Sequence, residues 1–484
     1  MGMSAMTGRK MMRQRRGNTI MSMVVLLFLV GYRAGLVYGT SPLRSTPSEE
    51  PSTPAPVRLT LSESIRMALD RSPEIRGAQQ KVEAAEAQVA EAKSGFYPRT
   101  NFTNIFGLVP RARGDVFFSP DAGDIVIFSG LGPFSKGDLE IVQPLYTFGK
   151  LTNSLLAAEK GVISEQAGEE KTANAVIMQV KELYYSLLLT RHIADVLSEV
   201  KKGFEEAIKE VRKRLREKKG KVSQLDLLKL KVGLAGTTKE LQEVEKNVAV
   251  TRAALQRTIG LPPTVDFDIA DTRLKPEKFD LKALQDYIQL TFQHRPEWKQ
   301  VQAGVESRKA LLEAEKSNYY PTFFLAGGLQ YAIAPNRDDQ DNPFVYDEFN
   351  YLRGGFALGL RWNLNFLTTK ARVRKAEAEL AKVQNDLENA RLGLPLEVTR
   401  AYLEVKAAQE ELDAASDGRR AGRSLLVLTF TNFKLGIGEA KDLFEALAIF
   451  ARTTTTYYQA VHALNLALAR LSNAVGKEVT TLQY

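Results

Sequence analysis

The chain has 484 residues, with 66 Lys or Arg against 57 Asp or Glu for a formal charge of +9, 44% hydrophobic residues and no cysteine. Disulfides, thiolate metal sites and a lipid-modified cysteine at a mature N-terminus are thereby excluded. Beyond the N-terminal region no apolar run is long enough to cross a bilayer as a helix, and stretches rich in Ala, Leu, Glu, Lys and Arg read as long helices.

At the N-terminus, Arg9, Lys10, Arg13, Arg15 and Arg16 precede the apolar stretch Ile20 to Val30, and small residues follow around Gly35 and Gly39. This order predicts a cleavable secretory signal over residues 1–39. The segment holds six Lys or Arg and no Asp or Glu, so its removal lowers the charge from +9 to +3. The basic pI is therefore no argument for a nucleic-acid partner. Residues 40–58, dense in Pro, Ser and Thr, read as a flexible leader, and the folded part is expected from about Leu59.

An internal duplication organises the rest. Residues 61–102 align with 284–325 without a gap, matching Leu61 with Leu284, Pro73-Glu74 with Pro296-Glu297, and Tyr97-Pro98 with Tyr320-Pro321. The offset then drifts, bringing Tyr184 to Tyr402, Asp226 to Asp442 and Gly260 to Gly476. The half-copies are 59–262 and 279–476, with a linker at 263–278 and a tail at 477–484. Each is predicted to run short helix, medium helix, strand, loop, strand, then two long helices.

Ser72-Pro73-Glu74 has the grammar of a helix start. In the helix that follows, Ala78, Val82, Ala85, Val89 and Ala92 form a small-residue stripe suited to close helix approach. Tyr97-Pro98 ends it, because the residue before proline is driven to extended geometry and proline lacks the next donor; Tyr320-Pro321 does the same in the second copy. Strands are predicted at 99–108, 138–147, 322–333 and 351–364, each near the length that crosses a bilayer at a tilt. The apolar, Gly-rich run Val116 to Phe134 is expected as a loop between the first two, packed on itself or closing a pore mouth. Four strands cannot close a barrel around a lumen, whereas three copies supply twelve.

Past each strand pair the helical period returns. Leu227, Leu234, Leu241, Val248 and Leu255 recur every seven residues, as do Leu443, Phe450, Tyr457, Leu464 and Leu471, which predicts coiled-coil packing. From Lys150 to about Lys218 a continuous helix would be about 100 Å long. Leu394-Pro395 lies mid-pattern in the helix that carries Val373, Ala376 and Leu380, and predicts a kink or offset in the second copy alone.

The duplicated halves, the Tyr-Pro corners, Gln143-Pro144-Leu145-Tyr146 at a strand end and the closing Gly260 and Gly476 together resemble the TolC outer-membrane efflux family. The resemblance implies a mainly α fold with membrane β: a homotrimer whose twelve-stranded β-barrel, four strands per protomer, sits in outer-membrane lipid and continues into a long periplasmic α-helical coiled-coil barrel. It also implies an equatorial belt and a passive export duct working with a periplasmic adaptor (membrane fusion) protein and an inner-membrane transporter. The copy-two strand end, Asn363-Leu364-Asn365-Phe366, departs from the family's pattern because no Gly follows it.

The resemblance further points to Asp442 and Glu445 as the acidic periplasmic gate, with three copies of each around a narrow opening that draws cations. The alternative is that Asp442 merely flanks a helix N-terminus, where a carboxylate is favoured; for Asp226, its copy-one equivalent, capping is the expected role. Adaptor docking is expected at the helix-tip turns, involving Gly220, Ser223 and Asp226 in one copy and Gly436 and Gly438 in the other. His192, His294 and His462 are far apart and lack ligand spacing, so no metal or cofactor is expected. No nucleophile elbow or phosphate-binding glycine loop supports an enzyme. A periplasmic coiled-coil adaptor or scaffold without a pore stays open as the other functional class, and it needs the strand pairs to be soluble hairpins.

Overall fold

The computed structural model describes residues 57–112, 130–217, 222–340, 344 and 346–480. The first half runs β1 (Val57–Leu59), α1 (Leu61–Arg71), α2 (Pro73–Ser94), β2 (Arg99–Pro110), β3 (Leu131–Tyr146), α3 (Lys150–Glu217) and α4 (Gln224–Thr258). The second runs β4 (Phe267–Ile269), α5 (Leu284–His294), α6 (Pro296–Lys316), a 3-10 turn (Ser317–Tyr319), β5 (Thr322–Ile333), β6 (Tyr351–Arg361), α7 (Phe366–Leu435) and α8 (Ala440–Val475). Each half opens on a short strand absent from the sequence reading. β1, at the end of the stretch read as leader, pairs in parallel with β4, inside the stretch read as linker.

The helix starts follow local chemistry. Thr60 and Glu63 form a reciprocal capping box at α1, and Ser72 accepts from Glu74 N–H ahead of Pro73 at α2. At the matching start of α6, the N-cap Arg295 offers no side-chain cap. Its buried guanidinium instead reaches Glu297 at 3.1 Å, Glu397 at 2.7 Å and the Ala474 carbonyl at 3.0 Å, tying α6 to α7 and α8.

The 68 residues of α3 and the 70 of α7 make rods about 100 Å long. α7 continues through Pro395, where the sequence predicts a kink or offset. Proline removes one ladder bond, from its own position to the carbonyl of exposed Arg391, and regular helix resumes with Thr399 Oγ1 donating to the Pro395 carbonyl.

α3 packs on α2, α4, α6 and α8, and α7 packs on α6 and α8. The heptad residues form two apolar clusters. One, at mid-length, joins Val180 and Leu187 of α3, Leu255 of α4, Val398 and Val405 of α7 and Leu464, Leu468 and Leu471 of α8 to Ile65 and Phe267. The other gathers Phe204, Val211, Leu230, Phe433, Leu443 and Phe450 near the ends of the long helices.

The mid-length cluster is belted by polar ties. Tyr184 Oη donates to Asp271 at 2.6 Å and Tyr185 Oη to Glu277 at 2.9 Å; burial pushes both the Tyr184 phenol and the Glu277 carboxyl up. Asn465 accepts from Glu277 N–H and donates to the Lys275 carbonyl. Buried Lys181 meets Glu478 at 2.6 Å, and Glu478 also accepts from Ser472 and Thr480. The stretches read as linker and tail are therefore partly clamped to the helices.

Two measurements follow from this belt. Glu478→Ala leaves a buried ammonium without this carboxylate and should cost about 3 kcal/mol, whereas the double change Lys181→Met/Glu478→Leu should be close to neutral; urea midpoints of the purified protein compare them. His192 accepts from Leu274 N–H at 2.8 Å and stacks on Tyr458, and His462 meets Ser186 at 3.2 Å. Burial lowers both histidine pKa values; Arg273 and Arg419 add to it at His192 against the opposing pull of Asp195, and Arg470 adds to it at His462. A base with a depressed folded pKa contributes stability above its unfolded value of about 6.5 and loses it as pH falls. Midpoints should therefore drop between pH 7.5 and 5.5, and His192→Gln should flatten that drop; an unchanged slope would count against His192.

Candidate functional site: a two-faced sheet and two helix tips

The strand pairs do not form separate hairpins. β2, β3, β5 and β6 make one antiparallel sheet in that order, with the β3–β5 pairing joining the two halves of the chain. Alternation along each strand and the register across it sort the side chains onto two faces. One face carries Phe102, Phe106, Leu108, Leu139, Ile141, Leu325, Leu329, Phe356, Leu358 and Leu360. Phe356 and Leu358 are 86% and 76% exposed. The other face carries Arg99, Asn101, Thr103, Lys136, Asp138, Glu140, Gln330, Arg353 and Arg361, with Gln330 donating to Asp138 at 2.7 Å. Its centre is built of Ala326, Gly328, Gly355 and Ala357, beside a concavity over the polar side chains.

An exposed apolar face of this extent, backed by a polar one, is unstable in water and suits lipid outside with water inside. The strands hold 12, 16, 12 and 11 residues, which at about 3.3 Å per residue exceeds the apolar band of roughly 25 Å even when tilted. The second strand begins at Leu131, earlier than position 138, because residues 131–137 pair through to Pro110 on β2. Of the run 116–134 read as a loop, 131–134 is thus strand, and 116–129 lies outside the described residues. β6 stops at Arg361 instead of 364.

Where sheet meets helices, α2 ends at Ser94 and Tyr97-Pro98 leads into β2; the 3-10 turn and Tyr320-Pro321 lead into β5. Tyr97 and Tyr320 are both exposed. Phe148 stacks on Tyr320 at 4.9 Å, and left-handed φ angles at Phe148 and Gly149 make the turn into α3. Trp362 Nε1 donates to the Tyr319 carbonyl and its ring lies edge-on to Phe366. Asn365 caps α7 in place of the missing Gly turn. Rings with one satisfied polar end suit a membrane–water boundary. From the sequence, Phe148, Trp362 and Phe366 are legible only as parts of strand ends, with no boundary role; their position beside those ends is the available signal.

At the far end of the helices, Ser223 and Asp226 form a capping box on α4: Asp226 accepts from Ser223 N–H at 2.9 Å, and Asp226 N–H donates to Ser223 Oγ. Gly220 lies outside the described residues. In the other tip Gly436, at φ +86°, ends α7, and a side chain at Gly438 would collide with the Phe433 backbone. Arg214 from α3 donates to the Phe433 carbonyl at 2.6 Å, fastening the tips together. α8 begins after Glu439 without a side-chain cap. Asp442 and Glu445 are both exposed, one turn apart, with Lys441 3.8 Å from Glu445. Asp442, unlike Asp226, takes no part in a capping bond. Among the described residues no three His, Cys, Asp or Glu converge as a metal site.

The two faces make opposite demands on a substituted charge. Leu358→Lys should cost roughly 2–4 kcal/mol of membrane stability and deplete the protein from the membrane fraction, whereas Ala357→Lys on the polar face should leave its level unchanged; equal loss from both would contradict the assignment of faces.

The family model described as outer membrane efflux protein matches residues 64–261 and 287–477. Protein CyaE of Bordetella pertussis is 21% identical over 429 residues, covering 87% of this chain and 85% of that protein. The CmeC outer membrane channel of Campylobacter jejuni superposes with a TM-score of 0.69 at 15% identity, covering 93% of this chain and 96% of that one. The open state of the Neisseria gonorrhoeae MtrE outer membrane channel gives 0.69 at 18% identity, with 93% and 97% covered. With the family model matched in both halves, the chain belongs to the outer membrane efflux protein family.

Proposed function

We propose that three copies of this chain close a twelve-stranded barrel in the outer membrane and form a passive export duct, fed by a periplasmic adaptor and an inner-membrane transporter. The observation that carries the reading is the four-stranded sheet with one apolar and one polar face, whose edge strands β2 and β6 each pair with one neighbour only among the described residues. An open edge has no partner in hydrocarbon, so the sheet must close on further copies. Twelve strands leave a lumen, and the rods of α3 and α7 extend the duct by about 100 Å. The CmeC and MtrE outer membrane channels share this fold. The exposed sheet also argues against a pore-less adaptor, whose hairpins would have to be soluble.

Asp442 and Glu445 form the gate in this reading. Their carboxylates stand free of capping at the start of α8, so three pairs could meet at the tip and hold cations. Adaptor docking at the tips around Gly220, Ser223, Asp226, Gly436 and Gly438 is supported by exposed Leu225, Leu228, Leu435 and Ile437 beside them. Residues 1–39 act as the export signal, and energy comes from the pump.

Single-channel recording in planar bilayers tests both parts. A small conductance is expected, blocked by divalent cations from one side, with the Asp442→Ala/Glu445→Ala protein needing roughly tenfold more cation for the same block. Unchanged block keeps the duct and rejects the gate; absence of conductance rejects the duct.

A further inference from the structure

Arg99 and Arg361 stand on the polar face at the helix-side ends of the two edge strands, and both are exposed. They differ in their neighbours. Arg99 faces Val142, so Glu140, two residues along β3 on the same face, lies diagonally within reach of a long side chain. Arg361 faces Thr322, and its diagonal neighbour is Phe324, whose ring its guanidinium overlies at 5.3 Å. Gly359 precedes it on the same face.

The duplication supplies the other side of Arg361. Residue 99 corresponds to 322 at the offset of the first alignment, and the pairs Arg99 with Val142 and Thr322 with Arg361 make Arg361 the counterpart of Val142. Within the chain the joint between halves pairs Val142 with Ala326. Repeated between one chain and the next, that joint would pair Arg361 with Thr103, with Asn101 and Ile105 on the diagonals. The immediate cross-strand partners of Arg361 are then Thr322 and Thr103, neither a carboxylate; the nearest carboxylate of that row, Asp138 one strand beyond Thr103, already accepts from Gln330.

We propose that Arg361, repeated three times where barrel meets helical tunnel, is a selectivity-determining residue of the duct: a cationic collar that favours anions and anionic groups of cargo, those bearing carboxylate, phosphate or sulfonate. The proposal rests on the trimeric duct. Three charges roughly 10 Å from the axis, screened over a Debye length of about 10 Å, concentrate a monovalent anion about twofold and deplete a cation as much, an anion-to-cation ratio of about four.

Reversal potentials in a KCl gradient measure that ratio, with Asp442→Ala/Glu445→Ala as background so that tip carboxylates do not dominate. Arg361→Gln should lower the chloride-to-potassium permeability ratio about fourfold. The chain has no cysteine, so Arg361→Cys carries a single thiol. A cationic methanethiosulfonate should restore the ratio and an anionic one should push it further toward potassium. Should these variants fail to assemble, Thr103→Glu in the otherwise unaltered sheet places a carboxylate against the collar; it should lower the ratio by a similar factor, while Thr103→Gln should not. Conducting channels whose ratio ignores all these changes, or an Arg361→Cys thiol unreactive in open channels, overturn the collar and leave the duct standing. If the unaltered chain forms no channel, the duct reading fails and the collar falls with it.

Discussion

The pairing of backbone N–H and C=O groups at the sheet edges is the constraint on which the rest depends. β3 and β5 satisfy each other inside the chain, which joins the two halves, but β2 and β6 each present a row of groups with no partner in the described chain. Water can satisfy such a row; hydrocarbon cannot. A chain that exposes Phe356, Leu358 and Leu360 on one strand and Phe102, Phe106 and Leu108 on the other cannot leave both edges wet while its apolar face is covered by lipid. In the proposed duct the sheet therefore sets assembly, and assembly sets the ring of helices beneath it.

The helical part answers to a different rule. Its cohesion is local, built from heptad neighbours along α3, α4, α7 and α8, and gathered into clusters at mid-length and at the tip. Between these clusters and the sheet, α2 and α6 contribute mostly small buried residues such as Ala78, Ala85, Ala303 and Ala310. The rods are thus gripped firmly at mid-length and tip and more lightly next to the membrane. The polar belt at mid-length adds fixed geometry, since Tyr184, Tyr185, Asn465 and Lys181 each reach a particular partner on another segment.

Most of the fold was legible because duplication and heptad spacing are long-range patterns that single substitutions do not erase. The long helices needed only the spacing of Leu227 to Leu255 and its counterpart. The start of β3 was missed because Leu131-Gly132-Pro133 reads as a turn: its extended form depends on β2 opposite. β1 and β4 have three residues each and exist through each other. The clamp of Glu478 on Lys181 spans almost 300 residues, and nothing local announces it. At the tips, Ser223 with Asp226 spelled its cap in the sequence, while the same offset placed Asp442 behind Glu439, which does not cap. The duplication conserves position there without conserving the bond.

One property of the polar face bears on what such a wall does to passing cargo. Around its centre Ala326, Gly328, Gly355 and Ala357 present hardly any side chain. Along that strip a passing molecule meets backbone already committed to its neighbours and a layer of water, and the groups that can exchange hydrogen bonds, such as Asp138 and Gln330, stand beside it. In the proposed duct this strip offers few side chains to hold a passing molecule, so it acts as a low-friction track between the polar groups on either side. Discrimination by shape has no foothold on it, and falls to whatever loads the cargo at the other end.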